Sequence, residues 1–389
     1  MEDLYSMQKV KQQLNIRLRE EEGRYEARVT IAGKRYSRYG QSEAEVKRKI
    51  KQLQKEFEKE GVIAENIRLN DAMESYLEDI KRCKVKSTTY DRVESTFKYH
   101  IKNEFLGRMQ VGTITAQDIQ KLLLEKCEQG KSASSIKKIY NLLGEFFRYA
   151  TATKVIGSNP MVLVEVPHAS LIRHQEKEME VLTADEVKRL IAVAEQVNES
   201  GNPIYKYGEA IVLLLLTGMR SGELRGLNIT DIDLDNQTLY VKNNATYSKD
   251  RKNGGIIHTV GTVKTKKSNR RIPLNDRAVL AIQRILKTIC NHDTGYLICT
   301  DTGKIVTHSN LQRCYSLILK RAGVEHMGLH STRHTFATVV LKDAEEKGQI
   351  KEVSELLGHS KVSTTYQYYI KTSDEEKRKL INQLNALVC

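Results

Sequence analysis

The 389-residue chain contains no tryptophan, and its six cysteines (Cys83, Cys127, Cys290, Cys299, Cys314 and Cys389) form no C-x-x-C pair and no repeated spacing. That scatter excludes a disulfide-stapled miniprotein and predicts reduced, mostly buried thiols in a reducing compartment. Cys290, His292 and Cys299 have no fourth ligand at finger-like spacing, so no zinc site is expected there. Long hydrophobic runs are also missing. The longest, Ala210 to Leu216, falls far short of the roughly 18 residues needed to cross a bilayer. The opening MEDLYSMQKV lacks a basic-then-apolar signal pattern, so a soluble cytoplasmic protein is expected. Neither H-E-x-x-H nor the phosphate-binding G-x-x-x-x-G-K-[ST] loop occurs, and there is no internal repeat or low-complexity tract.

What is abundant is positive charge: 63 Lys and Arg against 49 Asp and Glu, a net +14. Such an excess favours a polyanionic partner, either nucleic acid or an acidic membrane surface, without choosing between them. At roughly 150 residues per domain the length gives about two or three domains, and 40% hydrophobic residues suffice for a core in each.

The amino-terminal stretch reads as a small sheet and a helix. Leu14 to Arg19, Arg24 to Thr30 and Lys34 to Arg38 alternate with the period of strands, parted by Gly23 and Gly33. A helix is expected from about Ser42 to Lys59, with Ser42 and Glu45 in capping-box positions and Val46, Ile50, Leu53 and Phe57 on one face. Gly61 to Arg68 reads as a linker. Four helical stripes follow: Ala72, Met73, Tyr76, Leu77 and Ile80; Tyr90, Val93, Phe97 and Ile101; Ile119, Leu122 and Leu123, capped by Thr115 and Asp118; and Ile136, Ile139, Tyr140, Leu143, Phe146 and Phe147. Lys131, Lys137, Lys138 and Arg148 give the last a basic face. Pro160 and Pro167, with a polar stretch to Glu180, mark a second boundary. Beyond it, Thr183 and Glu186 open a helix, and helices mix with short strands such as Thr238 to Val241 and Ile256 to Val263.

Reactive side chains concentrate in this last part. In TGMRSGELRGL (217–227) an apolar helix breaks at Thr217-Gly218 and presents Arg220 where a second helix begins, a place where a guanidinium fork and helix-start N–H groups can hold a phosphate. VKTKKSNRRIPL (263–274) reads as a strand entering a basic turn and returning, with lysines that can donate a proton to a leaving oxygen. In LHSTRHTFAT (329–338), His330 and Arg333 at i and i+3 share one face, and His334, one residue on, is expected to point elsewhere. The fourth segment, LLGHSKVSTTYQYY, carries His359 and then Tyr366, Tyr368 and Tyr369.

In this order the segments resemble the tyrosine recombinases, the phage-type site-specific integrases. The likeness rests on T-G-x-R-x-x-E-L at 217–224, a hairpin lysine at Lys264, H-x-x-R-H at 330–334, L-G-H-S at 357–360 and S-T-T followed by Tyr368. It implies a multidomain, mainly α fold with α+β parts. Residues 1–62 would be a three-stranded sheet plus helix that binds arm sites, as in integrases of conjugative transposons. Residues 66–160 would be a helical core-site-binding domain, 161–180 a linker, and 181–389 a mixed α/β catalytic domain with a tail helix.

The same resemblance assigns Arg220, Arg333, His330 and His359 to the scissile phosphate, Tyr368 as nucleophile and Lys264 as general acid, with Lys266 and Lys267 as competitors. Glu223 would orient Arg220 or cap its helix. Tyr368 lies nine residues after His359, the family's offset, which Tyr366 and Tyr369 miss. The reaction would be integration and excision through a 3′-phosphotyrosyl link and a Holliday junction, with no metal, ATP or other cofactor. The implied partners are double-stranded DNA, three further copies in a synaptic tetramer, a small excisionase and a host DNA-bending protein. The tail stripe Leu380, Ile381, Leu384 and Leu387 would dock on a neighbouring protomer. Related possibilities are a chromosome or plasmid resolvase, a non-catalytic DNA-binding regulator, and a type IB topoisomerase.

Overall fold

The computed structural model describes residues 15–19, 23–31, 34–59, 67–172, 180–262, 268–288, 294–358 and 365. The chain divides into two compact units, 1–176 and 177–389.

The first unit holds two separate apolar cores. In one, strands β1 (Asn15–Arg19), β2 (Arg24–Ile31) and β3 (Lys34–Gly40) form an antiparallel sheet in that order, with Ala27 opposite Ile16 and Arg38. Alternation turns Ala27 and Val29 to one side, where Val46, Ile50 and Leu53 of helix α1 (Glu43–Lys59) cover them. The start of α1 departs slightly from a simple capping box: Ser42 Oγ accepts from the Glu45 N–H, while the Glu45 carboxylate reaches Gln41 N–H, one residue further back.

The other core is helical. Helix α2 (Leu69–Ser75) runs on through a π-helical stretch, Tyr76–Lys81, into Arg82–Lys84. Helices α3 (Ser87–His100), α4 (Ala116–Glu128) and α5 (Ala133–Ala152) pack with it around Met73, Tyr90, Phe97, Ile119, Leu143 and Phe147. The capping box on α4 forms as expected: Thr115 Oγ1 accepts from Asp118 N–H and the Asp118 carboxylate accepts from Thr115 N–H. Lys137, Lys138 and Arg148 stand exposed along α5.

In the second unit, α6 (Ala184–Ala194) begins on the Thr183–Glu186 capping box. The apolar run forms α7 (Gly208–Thr217), buried on all sides and packed against α9 (Asp276–Thr288), α10 (His308–Arg321) and α11 (Ser331–Glu346). A helix without a polar face belongs in the middle of a core, and this one is the axis of the unit. Short helix α8 (Ser221–Arg225) follows it. Strands β4 (Ile232–Asp233), β5 (Thr238–Val241) and β8 (Arg270–Pro273) make one sheet; β6 (Asn243–Lys249) and β7 (Ile256–Thr262) make a separate ribbon. Among the described residues, the expected return of the Ile256 to Val263 strand through a basic turn to pair with Arg271-Ile-Pro-Leu is not found. The partner of β7 is β6, and β8 pairs with β5 instead, Val241 opposite Arg270. Helix α12 (Ile350–Leu357) closes against α11 through Leu341, Val353 and Leu357.

Among the described residues no helix is long and apolar enough to cross a membrane. Of the cysteines described, Cys127, Cys299 and Cys314 are buried and Cys83 is exposed. Cys290, His292 and the tail stripe lie outside the described residues.

Candidate active site

Helix α7 ends on Gly218, whose φ of +62° is left-handed, and a Cβ there would come within 2.3 Å of the Phe336 ring. Only glycine meets both demands, and the reversal places Arg220 at the N-cap of α8. Glu223 Oε2 accepts from the Arg220 backbone N–H at 2.9 Å, and its Oε1 accepts from Arg220 Nη1 at 2.8 Å. The Arg220 side chain is 38% exposed, so one edge of its guanidinium is anchored while the group still reaches solvent.

A third participant was not foreseen. Arg270, on β8, is buried and grips the same carboxylate: Nη1 to Oε1 at 3.1 Å and Nη2 to Oε2 at 2.9 Å. Burial pushes the Glu223 carboxyl up, but the hydrogen bonds and charge of Arg270, helped by Arg220, outweigh that and hold it below its ordinary value. Glu223 is therefore a fixed anion under two cations.

Arg333, on α11, is 1% exposed. Its Nη1 donates to Gly218 O at 2.7 Å and its Nη2 to Leu357 O at 2.6 Å, tying the α7 turn to the end of α12. The loop before it is held by Gln312 on α10, which accepts from Leu329 N–H and donates to Met327 O, and by a Tyr315–Ser331 hydroxyl contact of 2.8 Å. His330 stands at that loop's end, exposed as a residue, with its ring packed edge-on against His334 at 4.6 Å between centroids. His334 does not point elsewhere: positions i and i+4 are neighbours on a helix, and the two imidazoles share one face. Partial desolvation, then the nearby His334, Arg333 and Arg220, push the His330 pKa down to about 4, so its ring is neutral at pH 7. His334 is lowered as well, by desolvation and by Arg333.

The structure thus brings together Arg220, Glu223, His330 and Arg333. Lys264, Lys266, Lys267, His359, Tyr366, Tyr368 and Tyr369 lie outside the described residues. What can be placed is the approach to two of them: α12 ends at Gly358, φ +66°, next to His359, and β7 ends at Thr262, two residues before Lys264.

Residues 180–376 match the model of the phage integrase family, and residues 68–126 match that of the phage integrase N-terminal SAM-like domain. The chain belongs to the phage integrase family. A tyrosine recombinase XerC-like protein of Caldanaerobacter subterraneus subsp. tengcongensis is 29% identical over 344 residues, covering 83% of this chain and 84% of that protein. Tyrosine recombinase XerD of Staphylococcus haemolyticus is 26% identical over 298 residues, 74% and 88% of the two chains. In fold, the chain is similar to the Tn1549 transposon integrase in complex with a circular intermediate DNA (TM-score 0.63, 21% identity, 80% of this chain and 99% of that one). It is also similar to a lambda integrase tetramer bound to a Holliday junction (TM-score 0.55, 21% identity, 91% and 94%).

As a member of this family the chain is a tyrosine recombinase, and its described site suits charge neutralisation. One half-exposed guanidinium, one neutral imidazole able to take a proton, and a buried scaffold that fixes both are assembled on α8, α11 and the end of α12. Arg270 escaped the sequence reading because its partner lies 47 residues away. Its one signal was the alternation of β8, which puts Arg270 on the inward side with Ile272 while Arg271 and Pro273 face out.

Proposed function

We propose that this recombinase is the integrase of a mobile element, cutting and rejoining DNA through a covalent tyrosyl intermediate. The observation that carries the reading is the linkage of the two site arginines: Arg333 on α11 donates to Gly218 O, two residues before Arg220, so its guanidinium is fastened to the turn that presents Arg220. A phosphodiester repels nucleophiles, and its transfer is governed by positioning and by neutralising charge on the non-bridging oxygens. Arg220, Arg333 and His359 take that task. The Tyr368 hydroxyl attacks phosphorus, His330 accepts the phenolic proton, and the bond from phosphorus to the 5′-oxygen breaks as Lys264 protonates that oxygen. The 3′-phosphotyrosyl link retains the bond energy, so a free 5′-hydroxyl reverses the step without ATP.

The mobile-element assignment is supported by the three-stranded sheet preceding the helical part and by the fold likeness to a transposon integrase. In this reading residues 1–62 bind arm-type sites, 66–160 bind core-type sites, and 181–389 perform the chemistry in a tetramer on synapsed DNA. An excisionase and a host DNA-bending protein would set direction. The XerC and XerD relatives favour a second reading, a chromosome or plasmid resolvase.

The test is capture on a randomised pool of nicked duplexes, from which the 5′ fragment diffuses once cleaved. The wild-type chain should give an SDS-resistant protein–DNA adduct, and Tyr368→Phe none. An adduct with Tyr368→Phe, or none with the wild type, rejects the mechanism. Sequencing the bound DNA separates the two biological readings: two unrelated site types are expected for an integrase and one for a resolvase. Affinity for either type should fall steeply with salt, as phosphate-dominated binding does.

A further inference from the structure

We infer that Arg270 is a positioning residue of the cleavage site, holding Glu223, and through it Arg220, in register with the helix end that leads into His359. The inference rests on the recombinase reading above. Arg270 spans three elements at once. Its Nη1 and Nη2 form a paired fork on Glu223 at 3.1 and 2.9 Å, its Nε donates to Leu356 O at 2.6 Å, and Nη1 also reaches Ser268 O at 3.3 Å. Glu223 carries Arg220 on its remaining valences; Leu356 lies three residues before His359; Ser268 lies four after Lys264. One rigid, planar cation therefore ties the residue that anchors Arg220 to the end of α12.

The fit around it is tight. Gly358 adopts φ +66°, and a Cβ at that position would lie 3.1 Å from both Cδ and Nη1 of Arg270. The Gly358 backbone therefore passes directly over the guanidinium. On the other side, Arg333 donates to Leu357 O, so adjacent carbonyls at the end of α12 are claimed by two different arginines. A buried ion pair is a poor device for stability alone, because desolvation consumes most of its attraction. What it does well is fix geometry, and here the geometry is that of the reacting cations. Lysine in place of Arg270 would keep the charge and lose the plane, leaving it unable to serve the carboxylate and the helix end together.

The experiment uses the full chain and the nicked duplex captured by the wild type, with DNA affinity, melting and single-turnover adduct formation measured side by side. Arg270→Lys should bind within about 3-fold of wild type and form adduct about 100-fold more slowly, the loss expected when reacting groups slip out of register. With Glu223→Gln already present, adding Arg270→Lys should slow the reaction little further, because both act through one contact. Gly358→Ala, which crowds the guanidinium and keeps its charge, should slow adduct formation about 10-fold with cooperative melting retained. Rates within about 3-fold of wild type for Arg270→Lys, or additive losses in the double variant, overturn the inference. Loss of cooperative melting in both Arg270→Lys and Gly358→Ala makes Arg270 a folding residue and overturns it too. A wild type that forms no adduct rejects the recombinase mechanism instead, a separate outcome.

Discussion

Two glutamates, far apart in sequence, are each wrapped by two arginines. In the amino-terminal sheet, Glu26 is 4% exposed and accepts from Arg28 at 2.8 and 3.2 Å, from Arg19 at 3.1 Å and from the Tyr39 hydroxyl at 3.1 Å. In the second unit, Glu223 is 3% exposed and accepts from Arg270 and Arg220. The carboxylates are alike; the cations differ. The side chains of Arg19 and Arg28 are 42% and 46% exposed, whereas Arg270 is 5% exposed. Hydrogen bonds from Arg28, with lesser ones from Arg19 and Tyr39, hold Glu26 down at about 2, and water and salt have free access to those cations. At Glu223 the low value is reached against burial, with Arg220 still open to solvent and Arg270, the stronger partner, shut away from it. The first arrangement staples a small sheet; the second sets the geometry of a reaction site.

The sharpest way to break this comparison is to neutralise each carboxylate. Glu223→Gln leaves Arg270 buried without a counter-charge, a change that costs about 3–5 kcal/mol. For a unit of about 200 residues that is a fall in Tm of about 10 °C, seen by thermal melting. Glu26→Gln leaves arginines that rehydrate, and its melting shift should be clearly smaller. Equal shifts would show that exposure of the cations does not matter.

Glycines beside the two networks give the next contrast. Gly218→Ala forces a left-handed L-residue, at about 1–2 kcal/mol, and drives a methyl into the Phe336 ring, for a total of about 2–4 kcal/mol. Gly40→Ala would press on the buried Val46 Cγ2 at 2.8 Å but carries no positive φ, so without the backbone strain urea unfolding should register a smaller loss.

Acid should separate the regions by pH. His330, and with it His334, titrates below the ordinary value of 6.5 in the folded chain, so the unfolded chain takes up protons first. The His330 contribution is whole above about 6.5 and drains away as pH falls toward 4, and the His334 contribution is lost in the same direction. The Glu26 contribution is whole above about 4.5 and is lost only as pH falls toward 2. Hydrogen exchange measured down a pH series should therefore show α11 loosening before β2. Adduct formation should show no acid limb near 6.5 from His330, since the ring stays a neutral proton acceptor to about 4.

How far the sequence foretold all this depends on the range of the interactions. Thr115 with Asp118, Thr183 with Glu186, and Arg220 with Glu223 all lie three residues apart, and each was legible because a helix start dictates its own partners. The His330–His334 contact obeys the same local rule and was misjudged from sequence. Strand pairing is not local: the basic segment looked like a hairpin turn, yet β5 takes β8 and leaves β7 with β6. Arg270 is the extreme case, an arginine that read as part of a basic turn and is instead buried beside a carboxylate from another element. Lys264, His359 and Tyr368 rest on motif spacing, outside the described residues.

The smallest effect is expected where nothing is buried on either side. On α1, Lys47 Nζ lies 3.2 Å from Glu43 Oε2, an i,i+4 pair whose side chains are 55% and 57% exposed. Both ions keep most of their water, and holding two long side chains in one geometry costs entropy that offsets the attraction. Lys47→Ala should change Tm by less than about 1 °C, and the difference should vanish in high salt. A larger shift that survives salt would mean that exposure alone does not separate the amino-terminal ion pairs from the one at Glu223. The contrast between Glu26 and Glu223 would then have to rest on the planar fork of Arg270 rather than on its burial.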